Sequence, residues 1–234
     1  MKQIIFKIVA IAIIFAGCTL GTKETRTESV SETVSEPIVP MELSSFETIK
    51  LQAPNVDGGV ALMKAAKERK SFREFDETNL SLKHLSEILW MANGINREDG
   101  KRTVPSAIAL YPLETYAVLA NGIYFYDPVE HELQPVVEGD YRNLSGLQPF
   151  VDNAPLNLVF IANYEKYIER NLPQARWLYL ASLDAGHCTQ NIYLYCASEG
   201  LRSVVRAGAK EKELLELLNL DENYQFVVAH TVGY

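Results

Sequence analysis

Apolar residues recur along this chain with two periods, and the switches between them divide it into elements. In GGVALMKAAKERK, residues 58–70, Val60, Met63 and Ala66 fall at helical spacing. Ser81 precedes Leu82, Leu85, Ile88, Leu89 and Ala92, and Asn93-Gly94 closes the run. That predicts an amphipathic helix with a hydroxyl N-cap and a glycine stop. Leu113–Ala120 reads as a strand, Asn121-Gly122 as a tight turn, and Ile123–Tyr126 as the returning strand. LNLVFIA, residues 156–162, is a short apolar run of the buried-strand type.

Helical spacing resumes from Gln174 to Glu199, where Trp177, Leu180, Ala181, Asp184, Cys188, Asn191, Ile192, Tyr195 and Cys196 share related faces. Ala and aromatic residues surround them, so this long helix is expected to be buried, centrally or in a subunit interface. A shorter helix follows over Glu211–Leu218, and YQFVVAHTVGY, residues 224–234, is a final strand. Helices flanking a mixed, mainly antiparallel sheet place the chain in the α+β class.

The first 41 residues read differently. Lys2 and Lys7 precede an apolar run from Ile8 to Ala16, too short to span a bilayer, and Gly17-Cys18 follows. Phe15-Ala16-Gly17-Cys18 resembles a bacterial lipobox, in which the thiol is acylated. Residues 1–17 are expected to be a lipoprotein signal peptide and Cys18 the lipidated end of a protein held at the extracytoplasmic side of a bacterial membrane. Residues 18–41 are rich in Thr, Ser and Glu, almost free of aromatics, and read as a flexible tether. Residues 42–234 then form one domain of ordinary size.

Charge and cysteine content narrow the chemistry. With 22 Lys and Arg against 30 Asp and Glu, the net charge is −8, which argues against nucleic acid as a partner. Cys188 and Cys196 stand eight apart on one helix, roughly 12 Å along its axis. A disulfide needs Cα atoms within about 7 Å, so these two are expected to be packed thiols. Four scattered histidines and no CxxC give no metal motif.

Against that acidic background KERKSFREFD, residues 67–76, is conspicuous. If the chain leaves its helix near Lys70 and runs extended, Arg69, Ser71 and Arg73 point to one side. Guanidinium, hydroxyl and guanidinium in a row suit an elongated anion, since Arg can grip phosphate bidentately. A solvated helix end of mixed charge is the other reading of the same residues.

Three further segments follow this strip: RTVPSAIALYPLETYAVL (102–119), ARWLYLASLDAGHCTQNIYLYCASEGLRSVVRAGA (175–209) and VVAHTVGY at the end. In this order they resemble the nitroreductase family of FMN-dependent oxidoreductases, and most of all the SagB-type dehydrogenases, where PSAGALYP and GHxxQN recur. The resemblance spans roughly residues 58–234. It implies FMN as cofactor, a homodimer with the long helix at its centre, and a two-electron or hydride transfer through flavin N5 to or from a small-molecule or peptide substrate. Arg69 corresponds to the arginine on the FMN phosphate, and Lys70 and Ser71 to contacts with the ribityl and pyrimidine part. Arg73 corresponds to the cation near N1 and O2, where negative charge collects on reduction. Pro105, Ser106 and Ala107 correspond to a loop reaching the partner's flavin, with Tyr111 close by. Ala207 and Gly208 correspond to the backbone near N5. Arg73 and Gly208 are the residues so assigned to the chemistry itself.

Two departures stand out. Ile108 occupies the glycine position of PSAGALYP. Many members carry a further basic phosphate ligand past the last strand; here Arg206 or Lys210 is expected to substitute, or phosphate binding is weaker. His187, Asp184, Gln190 and the aromatic residues Trp177, Tyr179, Tyr193 and Tyr195 read as packing or interface groups. An alternative function is a non-catalytic lipoprotein that binds a flavin or another ligand in the same kind of pocket.

Overall fold

The computed structural model describes residues 38–234. The expected signal peptide, the lipid anchor at Cys18 and most of the tether lie outside the described residues. Met41 is tied into the domain, its N–H reaching Leu80 O at 3.0 Å and its carbonyl accepting from Asn79 Nδ2 at 3.0 Å.

In chain order the elements are β1 (Ile49–Lys50), α1 (Leu62–Glu68), α2 (Leu82–Asn93), β2 (Leu113–Leu119), β3 (Gly122–Asp127), β4 (Glu132–Glu138), β5 (Leu156–Asn163), α3 (Glu165–Ile168), α4 (Trp177–Glu199), β6 (Arg202–Arg206), α5 (Glu211–Leu217) and β7 (Tyr224–Gly233). The strands form one seven-stranded sheet in the order β1-β4-β3-β2-β5-β7-β6. Every neighbouring pair is antiparallel. This is the α+β architecture that the apolar periods predict.

Helix α2 matches its sequence signals closely. Ser81 Oγ accepts from His84 N–H at 3.1 Å, satisfying one of the orphan donors of the first turn. Its apolar stripe of Leu85, Ile88, Leu89 and Ala92 is fully buried against the sheet and α4. Strand β5 is buried at all eight positions, which is why it reads as a continuous apolar run. The α2 and α4 side of the sheet holds the larger core cluster, and the opposite face packs on α5.

Three sequence expectations shift. Helix α1 begins at Leu62 rather than 58, because Gly59 takes a φ of 80° ahead of it. Leu119 pairs with Gly122, so Ala120 and Asn121 make the hairpin turn and Gly122 belongs to β3. There the glycine is a matter of space, since a Cβ would lie 2.2 Å from the Phe46 ring. Strands β4 and β6 carry charged or proline residues within short segments, and neither stands out by period.

Candidate functional site

Helix α1 ends at Glu68, and Arg69 turns the chain extended with φ −56° and ψ 124°. Phe72 N–H donates to Ser203 O at 3.0 Å, so the strip runs beside the edge strand β6. The expected alternation is present for Arg69, Lys70 and Ser71. Arg69 and Ser71 both meet Tyr193 of α4: the guanidinium carbon lies 5.2 Å from the ring centroid, and Ser71 Oγ is hydrogen-bonded to the phenol oxygen at 2.7 Å. Lys70 turns the other way, its ammonium 4.9 Å from the Phe72 ring centroid. Arg73 is exposed. None of the ion pairs among the described residues involves Arg69, Lys70 or Arg73, so within those residues the three cations have no carboxylate partner.

Tyr193 is the post on which this strip rests. Its oxygen also accepts the Val205 N–H at 3.0 Å, joining the strip and the end of β6 to one side chain. With that lone pair used, the phenol can donate to Ser71 and leave the serine proton directed outward. Behind the phenol ring lies His230 at 4.7 Å between centroids, fully buried with neither ring nitrogen partnered among the described residues. Burial, aided by the Arg206 charge, pushes His230 down to about 3 and keeps it neutral.

Ala207 and Gly208 follow directly in the loop from β6 to α5, just beyond Val205, which shares the Tyr193 hydroxyl with Ser71. Arg206, just before them, is an interior residue. Its guanidinium donates to Ser145 O at 2.6 Å, Asn157 Oδ1 at 3.0 Å and Thr231 Oγ1 at 2.9 Å. These acceptors come from three distant segments, and they occupy the fork that a phosphate would need. Arg206 therefore does not supply the further phosphate ligand, which leaves Lys210 as the basic residue of this loop. Gly146 makes the seat possible, because a Cβ there would lie 2.0 Å from Arg206 Nη1. No carboxylate pairs with this buried charge among the described residues, and burial lowers its pKa to about 10.

Pro105, Ser106 and Ala107 lie elsewhere on the protomer. Ser106 Oγ donates to Asp184 Oδ2 at 2.6 Å and accepts the Tyr111 N–H at 2.9 Å, fixing the loop to the first half of α4. Burial raises the Asp184 pKa, and the Ser106 bond opposes that rise. Asp184 and Tyr193 are nine residues apart on α4, about 13 Å along the axis. One protomer thus anchors the strip and the loop at separate levels of the same helix. The loop is held in a left-handed backbone at Ile108 (φ 46°), Ala109 (φ 55°) and Tyr111 (φ 48°). Ile108 is 70% exposed, so the glycine position keeps a glycine-like backbone while presenting a branched apolar side chain outward. The Tyr111 ring lies 5.0 Å from the Arg102 guanidinium carbon, and its carbonyl accepts from Lys166 Nζ at 2.8 Å.

Helix α4 is buried on one side only. Ala181, Asp184, Ala185, Cys188, Ile192 and Cys196 face the core, and both cysteines are free. Leu178, Tyr179 and Leu183 are each about half exposed on the other side, together with Gly186, His187 and Gln190. Sequence reasoning classed Tyr193 with helix packing and missed its role as a post. Its place on the buried face of α4, where a phenol oxygen needs a partner, was the available signal.

A family model described as "Nitroreductase family" matches residues 66–234. The chain is 33% identical over 186 residues to "Putative nitroreductase MJ1384" of Methanocaldococcus jannaschii, covering 75% of this chain and 92% of that protein. It is 27% identical over 165 residues to "Microcin B17-processing protein McbC" of Escherichia coli, covering 63% and 59% respectively. A crystal structure described as that of a "putative nitroreductase" from Ralstonia eutropha JMP134 superposes with a TM-score of 0.76 at 39% identity, over 84% of this chain and 93% of that one.

Proposed function

This chain belongs to the nitroreductase family, and we propose that it is an FMN-dependent oxidoreductase of the SagB-type branch, working as a homodimer. The observation that carries the proposal is the strip of Arg69, Lys70, Ser71 and Arg73 beside β6, three cations with no carboxylate partner among the described residues and a hydroxyl. These residues fit FMN: a row of guanidinium and ammonium groups, half-buried at Arg69 and exposed at Lys70 and Arg73, is suited to a phosphate with a polar chain behind it.

Bound FMN would supply two-electron or hydride chemistry that no side chain here provides. Arg69 would hold the phosphate, and Lys70 and Ser71 the ribityl and pyrimidine part. Tyr193 holds Ser71 through its hydroxyl. Arg73 would set a fixed positive charge where reduction places negative charge, and the backbone of Ala207 and Gly208 would approach the reacting side of the ring. Pro105, Ser106 and Ala107 would complete the site of the partner subunit. The separation of loop and strip along α4 supports that two-protomer arrangement, as does the uncovered apolar side of α4. The substrate is a small molecule or a peptide, a reading supported by the likeness to the microcin-processing protein. A lipid anchor at Cys18, holding the enzyme at the extracytoplasmic face of a membrane, belongs to the same proposal and rests on the sequence alone.

The test is anaerobic rapid mixing of the FMN-loaded full chain with candidate two-electron donors, followed by an acceptor. Bleaching of the flavin by a donor and its return on adding the acceptor would support an enzyme. Flavin that binds tightly but exchanges electrons with no donor or acceptor would favour the alternative, a flavin-binding lipoprotein.

A further inference from the structure

A cavity of about 350 Å³ lies between the 55–60 loop and α1 on one side and α2 and α4 on the other. None of the strip, the 105–107 loop or the 207–208 loop lines it. Its walls are largely apolar, from Val56, Val60, Leu62, Trp90, Met91 and Leu194. The size is within the range of small-molecule sites, roughly 300–1,000 Å³.

Glu87 gives this cavity its chemical character. The side chain is buried at 6% exposure. One carboxylate oxygen accepts the Asn55 N–H at 3.0 Å and the other accepts the Tyr195 hydroxyl at 2.6 Å. Both donors are neutral, and a carboxylate has about four acceptor sites, so half of its capacity is unused. Among the described residues no Lys, Arg or His pairs with Glu87. Lys83 lines the same cavity but faces Glu199 at 3.9 Å, so those two charges offset each other. His84, one turn back on α2, is held toward its neutral form by burial, and its Nδ1 is engaged with the Tyr234 hydroxyl at 3.1 Å. The Tyr195 hydroxyl spends its hydrogen bond on Glu87. A buried carboxylate without a cation is unfavourable, and an apolar cavity with one such group at its wall is complementary to a cation with an apolar body.

We propose that this cavity is a second ligand site, separate from the strip, which binds a small protonated amine carrying an aromatic or aliphatic body, with the ammonium on Glu87. The inference stands apart from the flavin reading, since it uses none of the same residues.

Isothermal titration of the full chain with tryptamine tests it, with tryptophol as the neutral counterpart and indole-3-acetate as the anionic one. Tryptamine is expected to bind at least about tenfold more tightly than tryptophol, and indole-3-acetate not at all, because a charge-assisted hydrogen bond to Glu87 is available only to the amine. Glu87→Gln, which retains an acceptor for Tyr195 or Asn55, should remove the preference. Leu194→Trp, which fills the cavity and leaves Glu87 in place, should abolish tryptamine binding. Equal binding of tryptamine and tryptophol, no binding of tryptamine to the unaltered chain, or undiminished binding in Leu194→Trp would overturn the proposal. Those three outcomes decide the matter even if Glu87→Gln fails to fold.

Discussion

Tyr193→Phe isolates what one hydroxyl contributes to the strip. The phenyl ring would remain beside His230 and beneath Arg69, so the packing of both is retained. Two hydrogen bonds are lost, from Ser71 at 2.7 Å and from Val205 N–H at 3.0 Å. At about 0.5–1.5 kcal/mol each, plus a partial penalty for the unpaired Val205 amide, the loss is about 2 kcal/mol. For a domain of this size, 1 kcal/mol moves Tm by about 2–4 °C, so a fall of about 4–8 °C is expected in thermal denaturation. Ser71 would lose its anchor, and FMN affinity should fall by about tenfold as the strip becomes less ordered. A variant whose Tm lies within a degree of the parent, with FMN affinity unchanged, would refute the idea that Tyr193 supports the strip.

Other predictions follow from single residues. Ile108→Gly relieves a left-handed backbone that costs an L-residue about 1–2 kcal/mol, against about 0.5–1 kcal/mol of added chain entropy, so Tm should rise slightly; a fall would mean that the exposed side chain is packed on something beyond the protomer. His230 has a folded pKa of about 3, below its unfolded value. The unfolded chain therefore binds the extra proton, and the contribution of a neutral His230 is full above about pH 6.5 and lost as pH falls toward 3. His230→Leu should flatten the acid limb of a stability-against-pH curve, and an identical limb would contradict the assignment. Gly146→Ala would set a Cβ 2.0 Å from Arg206 Nη1 and 2.7 Å from Val151 Cγ1. Unseating that buried guanidinium should cost about 3 kcal/mol or more, read from the urea midpoint; an unchanged midpoint would show that the seat gives way cheaply.

What was legible in the chain depended on how local the cause was. Helix α2 carries its own cap at Ser81 and its own apolar stripe, so its limits could be read directly. Strand β5, buried on both faces, announced itself by continuous hydrophobicity. The hairpin turn was misread by one residue, because Gly122 serves the Phe46 ring that approaches from another part of the chain. Strand β6 is only RSVVR, and its arginines concealed it. The same distance effect governs the site. KERKSFREFD could be recognised as a candidate because charge, hydroxyl and spacing lie within ten residues. Arg206 could not be recognised as an interior cation, since its acceptors lie at positions 145, 157 and 231. Tyr193 was obscured for the same reason, with partners at 71 and 205. The left-handed backbone at Ile108 was foreshadowed by the glycine of the pattern it resembles, but only the structure shows the branched side chain held outward there.

The most direct test of the central claim is gel filtration of the full chain with FMN, with absorbance followed across the near-ultraviolet and blue, alongside Arg69→Ala. The account predicts that oxidised-flavin absorbance elutes with the unaltered protein at the position of a dimer and is much reduced in the variant. A folded protein that elutes colourless from excess FMN, or a variant that retains the flavin in full, would contradict it.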